Sequence, residues 1–375
     1  MSEKKLPISY NTPYSTDCRV GMKLAVVQTS PHADAWMATH LGVFMDQELE
    51  VRVGSELTEM HMDDFNDILL INSINIWDVS PDKVVDVIIQ AINQSSYLMV
   101  DWYWSDQLPE ADKNEIRSTT IYGYNIERKA FYALAMYEKE FCECEIPFQL
   151  LQNKYVNIKD YYTKNPAAKT LRRMTYHPLG TMRLKEYTEE NSIFNALVYK
   201  IQREYSGGVS NRSNFDENGR PILNTLWFTG MDCLLGIKNK LQELMSDIDE
   251  NIRFYVPHAA RSSYILYEHR KRIICDMKWI SDKIGLDKDE RTKWVIREYK
   301  KLSNNMEILH NLLNKAWLTF DRTIMRNVID KIEFQYKNEK MLLTEFVNIA
   351  FARYTYIQSR DFFIDNNLLF DCTSQ

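Results

Sequence analysis

The sequence predicts an α+β protein in two parts: an N-terminal domain over residues 1–187, with helices followed by an antiparallel sheet, and an all-helical C-terminal domain over residues 188–375. Three observations predict it. Aromatic and β-branched runs separated by turn signals cluster between residues 96 and 135. Apolar residues at helical spacing precede that cluster and, beyond about residue 188, continue in long patterns. At 375 residues and 45% apolar content, the chain can bury two cores.

Taken in order, Tyr10-Asn-Thr-Pro-Tyr14 reads as a turn, and Ser15-Thr-Asp17 offers N-cap side chains before a helix that starts at Cys18. A second helix is expected over Ala33–Met45. A third is expected from Ser80-Pro81, with its apolar face at Val84, Val85, Val87, Ile88, Ala91 and Ile92. Ser96–Trp104 reads as a strand, and Thr119–Tyr124 and Ala130–Ala135 as a hairpin joined by the turn Asn125 to Lys129. A helix near Phe148–Tyr155 and a strand near Leu171–Leu184 complete the first part. The second part is predicted as helices over Phe194–Glu204, Asp232–Met245, Ser262–Ile284, Asp287–Trp317 and Thr323–Phe351, with the Gly- and Asn-rich segment 206–219 as a surface loop.

A net charge of −6, with both signs evenly scattered, leaves no basic face to follow a phosphate backbone, so nucleic acid is not expected as a partner. No stretch approaches the length of a membrane span and the first residues are polar, which predicts a cytoplasmic protein with no membrane association. The six cysteines have no framework spacing and read as reduced thiols.

Cys18 stands out by position, because a helix N-terminus favours a thiolate; the alternative reading is a small thiol that only packs. Cys142 and Cys144 would share one strand face but lack a second pair for zinc. The seven histidines show no ligand spacing, and neither a Gly-x-Gly-x-x-Gly, a Walker loop nor a Gly-x-Ser-x-Gly occurs. Trp102-Tyr-Trp104 and the acidic segment 106–115 precede the hairpin and read either as an acyl pocket or as half-buried strand aromatics beside a solvated loop. Arg270, Lys271 and Arg272 read either as a docking face for an acidic protein or as a solvated helix face.

The Asn-Thr-Pro-Tyr segment, Asp-Cys at a helix start, Ile121-Tyr-Gly-Tyr-Asn125, Phe131-Tyr-Ala-Leu-Ala135, Gly236-Ile-Lys-Asn-Lys240 and Tyr264–Ile273 together resemble a bacterial papain-like family. The family comprises cysteine acyltransferases and amide-forming enzymes of thiotemplated peptide and aminoglycoside biosynthesis. The resemblance implies a papain-like N-terminal domain that moves an acyl group from a carrier-protein thioester through Cys18 to a small amine or peptide acceptor. It implies no resident cofactor, since phosphopantetheine arrives on the acyl or peptidyl carrier protein. It places Cys18, Arg117 and Asn125 at the catalytic centre and Trp102, Trp104, Tyr122 and Tyr124 around the substrate. Arg117 stands where the family has its histidine, and Met136 where it has the orienting Asp. Arginine stays protonated and is no general base. Two further expectations therefore stand beside acyl transfer: a non-catalytic pseudoenzyme that binds a carrier protein or peptide intermediate, and a thioester or peptide hydrolase.

Overall fold

The aromatic run that opens at Tyr97 becomes an inner strand of an antiparallel sheet, in keeping with its composition. The computed structural model describes residues 2–14, 18–54, 65–75, 77–103, 116–137, 140–164, 179–189, 192–200, 204–215, 221–245 and 249–365. In chain order its first elements are β1 (Glu3–Lys5), α1 (Cys18–Val27), α2 (Ala33–His40), β2 (Gly42–Met45), β3 (Val51–Gly54), β4 (Leu69–Ser73) and α3 (Val84–Asn93). There follow β5 (Tyr97–Tyr103), β6 (Ile116–Asn125), β7 (Ala130–Tyr137), β8 (Glu140–Pro147), α4 (Phe148–Lys164) and β9 (Leu179–Leu184). The remainder is α5 (Ser192–Lys200), β10 (Gly208–Phe215), β11 (Pro221–Thr229), α6 (Asp232–Leu244), α7 (Asp249–Lys283), α8 (Glu290–Thr319) and α9 (Arg322–Asp365). The fold is α+β, and among the described residues no helix is long and apolar enough to cross a membrane.

Two units emerge. The first takes Met1–Ala33, Val53–Glu189 and Ser213–Asn224; the second takes Asp34–Arg52, Glu190–Arg212 and Thr225–Gln375.

The first unit holds a seven-stranded sheet in the order β4-β9-β5-β6-β7-β8, with β1 on β6. Strand β6 is long enough to take two neighbours along one edge. Residues Ile116–Ile121 pair with β5, and Gly123–Asn125 pair with β1. On its other edge a bulge between Ile121 and Gly123 interrupts the β7 ladder, so Tyr122 is the extra residue. The apolar stripe of α3, with Val84, Val85, Ile88, Ala91 and Ile92 buried as expected, packs on β5 and β6. Phe148, at the start of α4, meets Phe131 of β7 on the same face, ring centroids 4.5 Å apart. Ile146 pairs with Phe131, so by strand alternation Glu145, Glu143 and Phe141 face the opposite side, where α1 lies.

The second unit is built on α7, α8 and α9, whose core includes Ile273, Met277, Ile280, Val295, Tyr299, Leu342 and Phe346. Asp289 caps α8 by accepting from the amides of Arg291 (3.1 Å) and Thr292 (3.3 Å). Gly285, at φ 68, lets the chain leave α7 and turn towards that cap.

The second unit also corrects the all-helical expectation, because it carries strands of a four-stranded sheet in the order β10-β11-β2-β3. Residues 33–45, expected as one helix, are helix only to His40, because Phe44 and Met45 pair with Thr229 and Phe228. Gly208–Phe215 is a strand rather than loop for the same reason: the ladder to a neighbour outweighs a weak local preference. The single boundary at residue 187 falls close to the Glu189/Glu190 division, but Asp34–Arg52 joins the second unit through that long-range pairing. Helix α3 starts at Val84, after a turn, rather than at Pro81.

Candidate active site

Helix α1 begins at Cys18, where the sequence places a nucleophile. Residues 20–27 are buried throughout, including Lys23, whose Nζ lies over the Phe65 ring at 4.9 Å. The helix comes so close to the sheet because residue 21 lacks a side chain. A Cβ on Gly21 would stand 2.6 Å from Cε2 of Phe141 and 2.6 Å from the carbonyl oxygen of Tyr14.

That contact fixes which end of the sheet the helix start covers. Phe141 pairs with Met136, and the next inward row on this face aligns Glu143, Leu134 and Thr120 across β8, β7 and β6. The first turn of α1 therefore lies over the end of the sheet at which β6 begins, and Arg117 is the second residue of β6, paired with Trp102 on β5. The backbone brings the Cys18, Arg117 and Met136 positions to one end of the sheet. The side chains of Cys18, Arg117, Trp102 and Met136, and the whole of Trp104, lie outside the described residues. A helix N-terminus supplies partial positive charge and arginine a fixed one, and both favour a thiolate.

Asn125 is not brought to this end. It closes β6, eight positions from Arg117, which at about 3.3 Å per residue separates them by about 26 Å. Its side-chain Oδ1 accepts from the backbone amide of Arg128 at 2.9 Å, and its Nδ2 lies 3.5 Å from the Tyr132 hydroxyl. These are the bonds of a turn residue. Tyr124 is buried and donates to Asn93 on α3 at 2.8 Å, so its hydroxyl works in packing the helix-covered face.

Tyr122 belongs to a polar cluster on the α1 face. Its hydroxyl is 3.1 Å from that of Tyr10, which lies 3.2 Å from Glu143; Lys5 completes an ion pair with Glu143 at 3.1 Å and sits over the Tyr132 ring. Burial, with the Tyr10 and Glu143 contacts, pushes the Tyr122 hydroxyl far above its ordinary range. The same Tyr122 contact, with Lys5, holds the Glu143 carboxyl below its ordinary value. Only Tyr122 of this group was legible in the sequence, since its partners are 21 and 112 positions away.

The other thiols with resolved shifts are poor nucleophiles. Burial pushes Cys144 up to about 12, raises Cys142, and raises fully buried Cys233. Among the described residues of the first unit the one histidine is His32. It follows the far end of α1, about 15 Å along the axis of that helix, and pairs with Glu189 at 3.0 Å. His269 is buried against Glu204 at 2.7 Å, His310 meets the carbonyl of Ala260 at 2.8 Å, and His40 meets that of Trp36 at 3.0 Å. His61 and His177 lie outside the described residues.

The docking face expected at Arg270–Arg272 is also corrected. Arg270 is 1% exposed and pairs with Glu339, and Arg272 is 4% exposed and pairs with Asp276 and Asp34. Only Lys271 of the three faces solvent. Tyr299 donates to Glu339 at 2.6 Å, so α7, α8 and α9 share a buried polar centre. Among the described residues no group of three or more His, Cys, Asp or Glu could hold a metal ion. The sequence matches no protein-family model and no curated protein.

Proposed function

We propose that the first unit is a papain-like cysteine domain that accepts an acyl group on Cys18 from a carrier-protein thioester and passes it to an amine, as in assembly of a nonribosomal, specialised metabolite in the cytoplasm. One observation carries the reading: α1 starts at Cys18, and its first turn lies over the end of the sheet that holds Arg117. In the first step the Cys18 thiolate attacks the thioester carbonyl carbon, the carbon–sulfur bond to phosphopantetheine breaks, and the released thiolate takes a proton from water. In the second, the amine attacks the acyl-cysteine, the thiolate of Cys18 leaves, and the amine proton goes to solvent, giving an amide. Arg117 serves as a fixed positive charge beside the sulfur, not as a base.

Intact-protein mass spectrometry after mixing with acyl-loaded carrier protein tests this. An acyl adduct is expected on the wild-type chain and absent from Cys18→Ala; no adduct under conditions in which the carrier binds would sink the proposal. A second reading, a pseudoenzyme that binds the carrier without reacting, is favoured by the engagement of the described histidines elsewhere. Complex formation without an adduct would establish it. An adduct that decays only to free acid would mark a hydrolase.

A further inference from the structure

Acyl transfer at Cys18 leaves one proton without a carrier in the protein: the proton that the amine loses as it becomes an amide. Arg117 is itself protonated and cannot take it. His32, the one histidine among the described residues of the first unit, lies past the far end of α1. The register of the sheet supplies a carboxylate instead.

Directly opposed residues of an antiparallel pair share one face. The ladders carry one such row across four strands, with Glu143 opposite Leu134, Leu134 opposite Thr120, and Thr120 opposite Met99. That row belongs to the α1 face, because Phe141, two residues from Glu143, meets Gly21 of α1. On β5 the same face continues, two residues beyond Met99, at Asp101, which is paired with Ser118. The step from Met99 to Asp101 runs towards the end of the sheet at which β6 begins, and so does the step from Glu143 to Phe141. Asp101 therefore stands in the row of Phe141, at the end that the first turn of α1 covers. Helix α1 packs on β6, and β5 is the next strand, about 4.8 Å away.

The local sequence gives no structural reason for an acid there. Asp is among the residues least suited to a strand, β5 is an inner strand between β9 and β6, and Leu98, Met99 and Val100 before it are buried. Residues that go against local preference in this way concentrate at functional sites. Glu143, the acid one row further in, is already engaged by Lys5 and Tyr10.

We propose that Asp101 is the proton acceptor of the amide-forming step. The amine nitrogen attacks the carbonyl carbon of acyl-Cys18, and its proton passes to the Asp101 carboxylate. The carbon–sulfur bond breaks with its electron pair on the Cys18 sulfur, and Asp101 then gives the proton to solvent. The inference rests on the acyl-transfer reading.

Two readouts on the full chain test it. The first loads Cys18 with the acetyl thioester of N-acetylcysteamine and follows transfer to n-butylamine by intact-protein mass. Asp101→Asn should still take the acetyl group but pass it on about a hundredfold more slowly or worse, and Asp101→Glu should recover part of the rate. The second needs no acyl group. The pH midpoint of Cys18 alkylation should fall by about one unit in Asp101→Asn, because a neighbouring carboxylate disfavours the thiolate. Asp101→Ser gives both readings if Asp101→Asn fails to fold. Transfer at the wild-type rate in Asp101→Asn overturns the proposal, and so does an unmoved midpoint, which would put the carboxylate away from the sulfur. If the unaltered chain takes no acyl group, the acyl-transfer reading falls and this role with it; a shifted midpoint would then mark the failure as one of chemistry and not of placement.

Discussion

Gly21 and Phe141 are in such close contact that the helix bearing Cys18 can rest on the sheet only because residue 21 has no side chain. The ring of Phe141 is held in turn by the β7–β8 ladder, so the start of α1 and the end of the sheet form one packed corner.

Gly21→Ala should therefore move the helix start. Overpacking of this kind costs about 1–3 kcal/mol, and urea unfolding should show it. Gly21→Ala/Phe141→Ala should recover only part of the loss, because the Tyr14 carbonyl, 2.6 Å from the new methyl, remains. Full recovery would mean that the helix does not lean on that carbonyl.

Alkylation should discriminate Cys18 from the thiols that burial keeps protonated. At neutral pH, with peptides counted by mass spectrometry, Cys18 is expected to react well before Cys142, Cys144 and Cys233. Arg117→Ala should shift the pH midpoint of Cys18 alkylation upward by about one unit, the size of effect a single nearby charge produces. An unmoved midpoint would remove Arg117 from the site.

The cluster around Glu143 gives the first unit a pH dependence whose sign follows from its shifts. The Glu143 carboxyl is held low by the Tyr122 and Lys5 contacts, so it stabilises the fold at pH values above the ordinary carboxylate range, and that contribution fades as pH falls through its lowered folded value. Tyr122 is shifted the other way. Its stabilising contribution is complete below about pH 10 and is lost as pH rises above that, because the unfolded chain ionises first. Glu143→Gln should flatten the acid limb of a stability profile, and Tyr122→Phe the alkaline limb. Profiles unchanged by both would show that the network carries no linkage.

The buried pair in the second unit should be costly to break from one side. Arg270→Met leaves the Glu339 carboxylate buried without its guanidinium, a loss of about 3–5 kcal/mol. Arg270→Met/Glu339→Leu is expected to cost less than the sum of its two single changes, since neither charge is then stranded. Additive losses in a denaturation cycle would show that the two residues are uncoupled.

Local chemistry was the legible part of this sequence. The helix start at Cys18, the apolar face of α3 and the hairpin of β6 and β7 all follow from caps, periodicity and turn residues close in the chain. Asn125 carried its own signal, since a residue that opens the turn Asn125 to Lys129 has its amide committed to that turn. What stayed hidden depends on distant partners. Arg270 and Arg272 look like surface charge until Glu339, 69 positions on, and Asp34, 238 positions back, are placed beside them. Strand β2 looks like the tail of a helix until β11 pairs with it.

That last pairing bears on how the protein is made. Met45 leaves the ribosome about 180 residues before Phe228, roughly 10–40 s at ordinary rates of synthesis. Throughout that interval four residues that end up buried, Gly42 to Met45, have β3 on one edge but no strand on the other, and release of a chain stopped near residue 188 would leave that edge permanently open. Such a fragment should be sticky and short-lived in a cell, even though the sheet of its first unit would be almost entirely present.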